Sequence, residues 1–186
     1  SASNQYRGIN HSRKQLDSRF ASSNLPLRGA KGWNYEGGIR VPLVVYWPGN
    51  IKANSTSHAL VTGTDYYPTL LGMLGLPLLP NQHVDGKSFV PALKGKDHNR
   101  GAIYWHFPHY SNHGYQSPGG AIRLGDYKLL EYFENGTVQL FDLKKDLGEK
   151  NDISESKPEI TKKLLKMLKD WRREVDAKMP VAKTGR

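Results

Sequence analysis

The sequence predicts an α/β fold that ends in a small antiparallel sheet with one terminal helix, and three observations carry that expectation. A glycine-shaped loop at 25–40 feeds a continuous apolar run over 41–47, Val-Pro-Leu-Val-Val-Tyr-Trp. An unbroken run of this kind suits a strand covered on both faces, as in a parallel sheet. From Gly101 onward, short strand-like runs are separated by turn signals, which suits hairpins. Near the end, Ile160, Leu164, Leu168, Trp171, Val175 and Met179 recur at helical spacing.

Taken in order, residues 1–23 are polar, basic and without periodicity, a loop-like or disordered lead-in. Residues 24–100 form one block and 101–180 a second, with a tail at 181–186. In the first block, Thr64 or Asp65 is the expected N-cap of a short, mostly buried helix stopped by Gly75 and Pro77. Ser88–Leu93 offers one further helical turn, limited by Pro91. In the second block, strands are expected at 102–107, 121–124, 127–133 and 137–143. Asn135-Gly136 is the strongest hairpin signal, because glycine and asparagine tolerate the positive φ angles that tight turns need. That pair, with Thr137, also spells a glycosylation acceptor, as does Asn54-Ser55-Thr56, but the turn reading explains it fully. The final helix is expected over Pro158–Lys178.

Composition excludes several classes. The 186 residues contain no cysteine, so disulfides, thiolate metal sites and cysteine nucleophiles are all absent from this chain. No run of apolar residues is long enough to span a bilayer, and no charged-then-apolar leader opens the chain. The net charge of +10 would ordinarily raise nucleic acid as a partner. Its distribution argues otherwise. Residues 1–30 hold 5 basic and 1 acidic side chains, residues 31–156 hold 12 of each, and residues 157–186 hold 10 and 4. The excess lies at the two ends, and much of it is the solvated side of the final helix. Neither nucleic acid nor a membrane is expected as a partner.

The residues with chemical potential begin at Lys31. In Arg28-Gly29-Ala30-Lys31-Gly32, glycines let a backbone approach a ligand closely, and an ammonium among them suits an oxyanion such as sulfate or phosphate. The spacing alone favours a solvated surface lysine on a glycine-rich loop. The wider text adds more. Residues 25–42, Leu-Pro-Leu-Arg-Gly-Ala-Lys-Gly-Trp-Asn-Tyr-Glu-Gly-Gly-Ile-Arg-Val-Pro, resemble the second signature of the type I, formylglycine-dependent sulfatases. Trp47-Pro48-Gly49, the run at 64–80, Val84–Leu93, Ala121–Leu129 and Leu140–Ile153 follow in the order of that family's closing third, so that the resemblance spans roughly 24–178.

The resemblance implies an alkaline-phosphatase-like sulfatase fold, with 24–100 as the C-terminal part of the catalytic domain and 101–180 as a small α+β subdomain. It implies hydrolysis of sulfate esters, on a carbohydrate in the first instance, with Lys31 matching the family's sulfate-binding lysine. Glu36, Arg40 and Asp65 match family positions too; Glu36 and Arg40 are expected to fix the loop by hydrogen bonds and Asp65 to cap a helix. Ala30 replaces the usual glycine, a mild departure. Formylglycine and Ca2+ are implied for the parent enzyme but belong to its N-terminal part. This chain has neither the cysteine signature nor the calcium-binding aspartates, and no metal is expected in it. It therefore reads as an inactive C-terminal fragment of a protein that the family places in the periplasm, a secretion route or the lysosome.

His106, His109 and His113 form a looser cluster. Their spacing suits a transition metal poorly, whereas imidazoles beside aromatic rings suit sugar hydroxyls or sulfate, so His106 and His109 are candidate substrate contacts. Two alternatives stay open on sequence: a phosphatase or phosphodiesterase of the same superfamily, and a non-catalytic glycan-binding module. The apolar run at 41–47 is also expected to drive self-association of this chain, as exposed strand edges do. Sedimentation over a concentration series should show mass rising with concentration; a monomer at every concentration would refute it.

Overall fold

The computed structural model describes residues 24–111 and 116–181; the candidate His113 and the 1–23 lead-in lie outside them. Contacts divide the chain into two units, 24–41 with 102–181, and Pro42–Gly101. Residues 24–41, which the sequence reading groups with 42–100, thus belong with the small sheet.

The first unit is built on a four-stranded antiparallel meander, β1 (Ile103–Phe107), β2 (Gly119–Leu124), β3 (Tyr127–Tyr132) and β4 (Val138–Asp142), in that spatial order. All four expected strands form. The β2–β3 turn is the tight one: Gly125-Asp126 connects the strands directly, with Gly125 at φ 58°, the positive value that the first residue of such a turn requires. The Asn135-Gly136 connection is wider than the two-residue turn it suggests. Only Gly136 is left-handed, and its N–H bonds to Tyr132 O at 2.9 Å while Thr137 O accepts from Tyr132 N–H.

Alternation sends the two faces of this sheet to different partners. On one face, Ile122, Leu129 and Leu140 meet Leu164 and Leu168 of the terminal helix, Pro158–Glu174, and Tyr104 stacks on Trp171 at 4.8 Å. Each such buried aliphatic side chain contributes about 1.5–3 kcal/mol. The helix starts on Pro158, where a missing N–H costs nothing. It stops four residues before the expected Lys178. Asp176 turns left-handed at φ 47°, and Ala177 N–H closes back on Arg172 O while Asp176 N–H closes on Arg173 O, the paired bonds of a Schellman end. On the other face, Ala121, Leu130 and Phe141 pack with Tyr35 and Leu143, flanked by Trp33, Trp105 and Tyr132. The 24–41 loop is therefore the second cover of the sheet.

The second unit holds a 3-10 turn at Gly63–Asp65, the helix Tyr66–Met73 and the short helix Val90–Leu93. Asp65 is fully buried and ties three segments together: its carboxylate accepts from Thr62 N–H at 2.9 Å, Lys87 N–H at 2.8 Å and Arg100 Nε at 2.9 Å. It thus acts before the helix, as a capping-box partner of Thr62. Two expectations need correction. The helix buries Pro68 and Thr69 but leaves Leu70 and Leu74 exposed. Residues 41–47 form no strand and pair with none among the described residues, and Val44 is 91% exposed. A strand exists only where a neighbour takes its N–H and C=O groups, and no described segment lies there to do so.

Candidate functional site

The loop that carries Lys31 is held by groups scattered along the first unit. Its compactness comes from glycine: a Cβ on Gly37 would lie 2.4 Å from Gly29 O, and one on Gly38 would lie 2.1 Å from Trp33 O. Gly29 and Gly32 take φ 81° and 91° on either side of Lys31, and Trp33 N–H bonds Ala30 O across the turn. Asn34 N–H donates to Gln116 Oε1 at 2.5 Å. Tyr35 Oη donates to Gln139 Oε1 at 2.7 Å and accepts from Tyr132 Oη at 2.9 Å. Burial pushes both phenols above the ordinary tyrosine range.

Beneath the loop lies a buried charge cluster. Glu36 accepts from Arg123 Nη1 and Lys128 Nζ, each at 3.0 Å, and Lys128 also lies 2.9 Å from Glu149 Oε1. Glu149 Oε2 accepts the Glu36 backbone N–H at 2.7 Å, and Glu149 O accepts Arg28 Nη1 at 2.6 Å. The Arg28 guanidinium lies 4.0 Å from the centre of the Tyr35 ring, a cation–π contact. The carboxylates of Glu36 and Glu149 are met by Arg123 and Lys128, the pairing that burial of charge demands, while Arg28 is held by a carbonyl and a ring. Glu36 fixes the loop, as expected; Arg40 is exposed and contributes a backbone bond to Glu36 O.

Burial raises the Glu149 carboxyl above its ordinary value of 4.5, against the opposing pull of Lys128 and the Glu36 N–H. The folded state therefore holds its proton more tightly than the unfolded chain. Its contribution is fully present below about pH 4.5 and declines as pH rises through the raised value. Glu149→Gln is expected to flatten that decline, read from denaturation midpoints of the chain at a series of pH values; an unchanged slope refutes the assignment.

Lys31 itself is exposed at the tip of the turn and has no ion-pair partner among the described residues. The predicted site residues do not converge. His106 sits opposite Gly120 on the helix side of the sheet, away from the loop. Its Nε2 is 2.8 Å from Lys178 O and its ring lies 5.5 Å from that of Phe133. His109 is exposed just beyond β1, edge-on to Phe107. Among the described residues no cluster of three or more histidines and carboxylates could hold a metal ion.

Sequence reasoning missed Lys128, Glu149, Gln116 and Arg28. Lys128 carried a signal: it shares its strand phase with Leu130 and Tyr132, so a lysine stands where the pattern calls for a core residue.

The first unit is thus a sheet covered by a helix on one side and by a glycine-rich loop on the other. Residues 30–174 match the family model described as N-sulphoglucosamine sulphohydrolase, C-terminal. The chain belongs to the sulfatase family and corresponds to its C-terminal portion. It is 34% identical over 166 residues to a sulfatase of Formosa agariphila, covering 81% of this chain and 30% of that protein. The solved structure of Ps i-CgsB in complex with k-i-k-neocarrahexaose superposes with TM-score 0.69 at 30% identity, covering 81% of this chain and 32% of that one. BT4656, solved in complex with its substrate D-glucosamine-2-N,6-O-disulfate, gives TM-score 0.58 at 26% identity over 72% of this chain and 28% of its own. The chain spans about a third of the length of these relatives. No helix among the described residues is long and apolar enough to cross a membrane.

Proposed function

We propose that the chain is the C-terminal part of an enzyme that hydrolyses sulfate esters of a carbohydrate, with Lys31 gripping a non-bridging sulfate oxygen. The observation that carries this reading is an exposed ammonium, without an ion-pair partner among the described residues, held on a loop that buried charges anchor. As the S–O bond to the leaving oxygen breaks, negative charge grows on the leaving and peripheral oxygens, and an ammonium already in place stabilises it without reorganising. The sugar-bound structures of two relatives support a sulfated glycan as the substrate class. Of the two candidate histidines, His109 is free to meet a sugar hydroxyl, whereas His106 is engaged by Lys178 O.

Formylglycine and calcium, which the family implies, do not fit the residues present. The chain has no cysteine to oxidise, and its described residues form no oxygen cluster for the cation. Both would reside in polypeptide outside this chain, in an enzyme that works in the periplasm, the lysosome or outside the cell.

In the whole sulfatase, Lys31→Ala is expected to lower kcat/KM by about 10²–10³, the cost of one lost oxyanion donor, measured on a sulfated sugar or an aryl sulfate. Unchanged kinetics would refute the role. The isolated 186-residue chain should not turn over; aryl sulfate cleavage by it that vanished on Lys31→Ala would overturn the fragment reading.

A further inference from the structure

We propose that Lys128 and Glu149 are positioning residues for Lys31: the small sheet serves the reaction by clamping the sulfate-gripping loop, through charges that never touch substrate. The inference rests on the role proposed above for Lys31 and extends it to residues about a hundred positions away. Three observations carry it.

First, the clamp acts on the loop from several sides. Glu149 binds the Glu36 N–H through Oε2 at 2.7 Å and Arg28 through its backbone carbonyl at 2.6 Å, so one residue holds both arms of the loop. Lys128 bridges Glu149 Oε1 and Glu36 Oε1 at 2.9 and 3.0 Å. Arg123 completes the set on Glu36 Oε2.

Second, the loop cannot absorb a shift locally. Gly37 N–H bonds Arg28 O at 2.7 Å, and Gly38 N–H bonds Tyr35 O at 2.8 Å. A Cβ on Gly37 would lie 2.4 Å from Gly29 O and 2.5 Å from Arg28 O, and one on Gly38 would lie 2.1 Å from Trp33 O and 2.6 Å from Ala30 O, so these stretches pass one another with room for no side chain. Motion at Glu36 therefore passes directly into the 29–33 turn, and with it to Lys31.

Third, Glu149 holds a left-handed backbone, φ 50°. A side chain other than glycine rarely adopts this conformation, and such outliers mark places where surrounding structure imposes geometry. Here the twist lets one residue offer Oε2 and its carbonyl to the loop while Oε1 meets Lys128.

Lys128→Met alone would leave two carboxylates facing each other in the interior, so the informative variant is Lys128→Met with Glu149→Gln, which leaves Glu36 paired to Arg123. In the 186-residue chain, amide hydrogen exchange at Gly37 and Gly38 should accelerate at least tenfold, while Ile153, bonded to Leu140 O on β4, keeps its protection. Equal acceleration at all of these amides, or none, would overturn the proposal. In the whole sulfatase, the double variant should lose about 10² in kcat/KM, as small misplacements of a reacting group do. The triple variant that also carries Lys31→Ala should then lose no more in total than Lys31→Ala loses by itself, because the clamp acts only through that side chain. Additive losses would overturn the positioning role and leave the sulfate role of Lys31 standing. If Lys31→Ala alone were silent, the sulfate reading would fall, and the exchange data would still report whether the clamp holds the loop. Glu149→Gln by itself, a gentler change that keeps an acceptor for the Glu36 N–H, should show the same pattern at reduced size and serves if the double variant does not fold.

Discussion

Gly38→Ala is expected to dismantle the loop that presents Lys31. The new methyl group would start 2.1 Å from Trp33 O and 2.6 Å from Ala30 O. Real Cβ atoms do not approach carbonyls so closely, and both obstacles are backbone, which cannot swing aside as a flexible side-chain tip can. Forcing atoms into a filled site costs roughly 1–3 kcal/mol when neighbours yield, and this site should reach at least the upper end. The short helix Glu36–Ile39 would have to move, taking Glu36 away from Lys128 and Arg123. Two measurements check it: a lower denaturation midpoint for the chain, and in the whole sulfatase a fall in kcat/KM comparable with that of Lys31→Ala. A variant with wild-type midpoint and rate would refute the packing argument.

The second large effect separates the two faces of the sheet. Phe141→Ala should destabilise the chain by about 3–5 kcal/mol, and Leu168→Ala by about 2–5 kcal/mol, since both delete fully buried side chains and leave cavities. Their consequences for the site should differ. Phe141 meets Tyr35 edge-on at 6.2 Å, on the side where the loop sits, whereas Leu168 packs with Ile122, Leu129 and Leu140 on the helix side. Amide resonances of residues 29–38 should therefore shift in the Phe141 variant and stay in place in the Leu168 variant. Equal disturbance of the loop by both would show that the sheet transmits strain across its thickness.

The strands and the terminal helix were legible because their information is local. Alternation in Tyr127–Tyr132, the glycine at 125 and the spacing Ile160, Leu164, Leu168, Trp171 each express one periodicity on one element. The helix end was misjudged because Val175 and Met179 continue the apolar rhythm while Asp176 breaks the backbone, and a left-handed aspartate has no distinctive sequence signal. Residues 41–47 read as a strand on composition, but pairing is a property of two segments, and among the described residues none pairs with them. The site was half legible. Lys31 stood out through its glycines and the family signature. Its supports at 128 and 149 did not, because a buried lysine and a buried glutamate are explicable only together, and nothing in the sequence joins positions so far apart. His106 attracted notice for its neighbours in the chain, yet the pleat turned it toward the helix.

Placing Lys128 inside β3 also constrains how the sheet can assemble. Were that strand to slide by one residue against β2 and β4, every side chain would exchange faces. The ammonium would then enter the aliphatic layer beneath Leu164 and Leu168, far from Glu36 and Glu149, and an uncompensated interior charge is among the costliest defects a fold can carry. A leucine at 128 would impose no such penalty. The lysine thereby disfavours that slipped alignment, which would part it from both of its carboxylates.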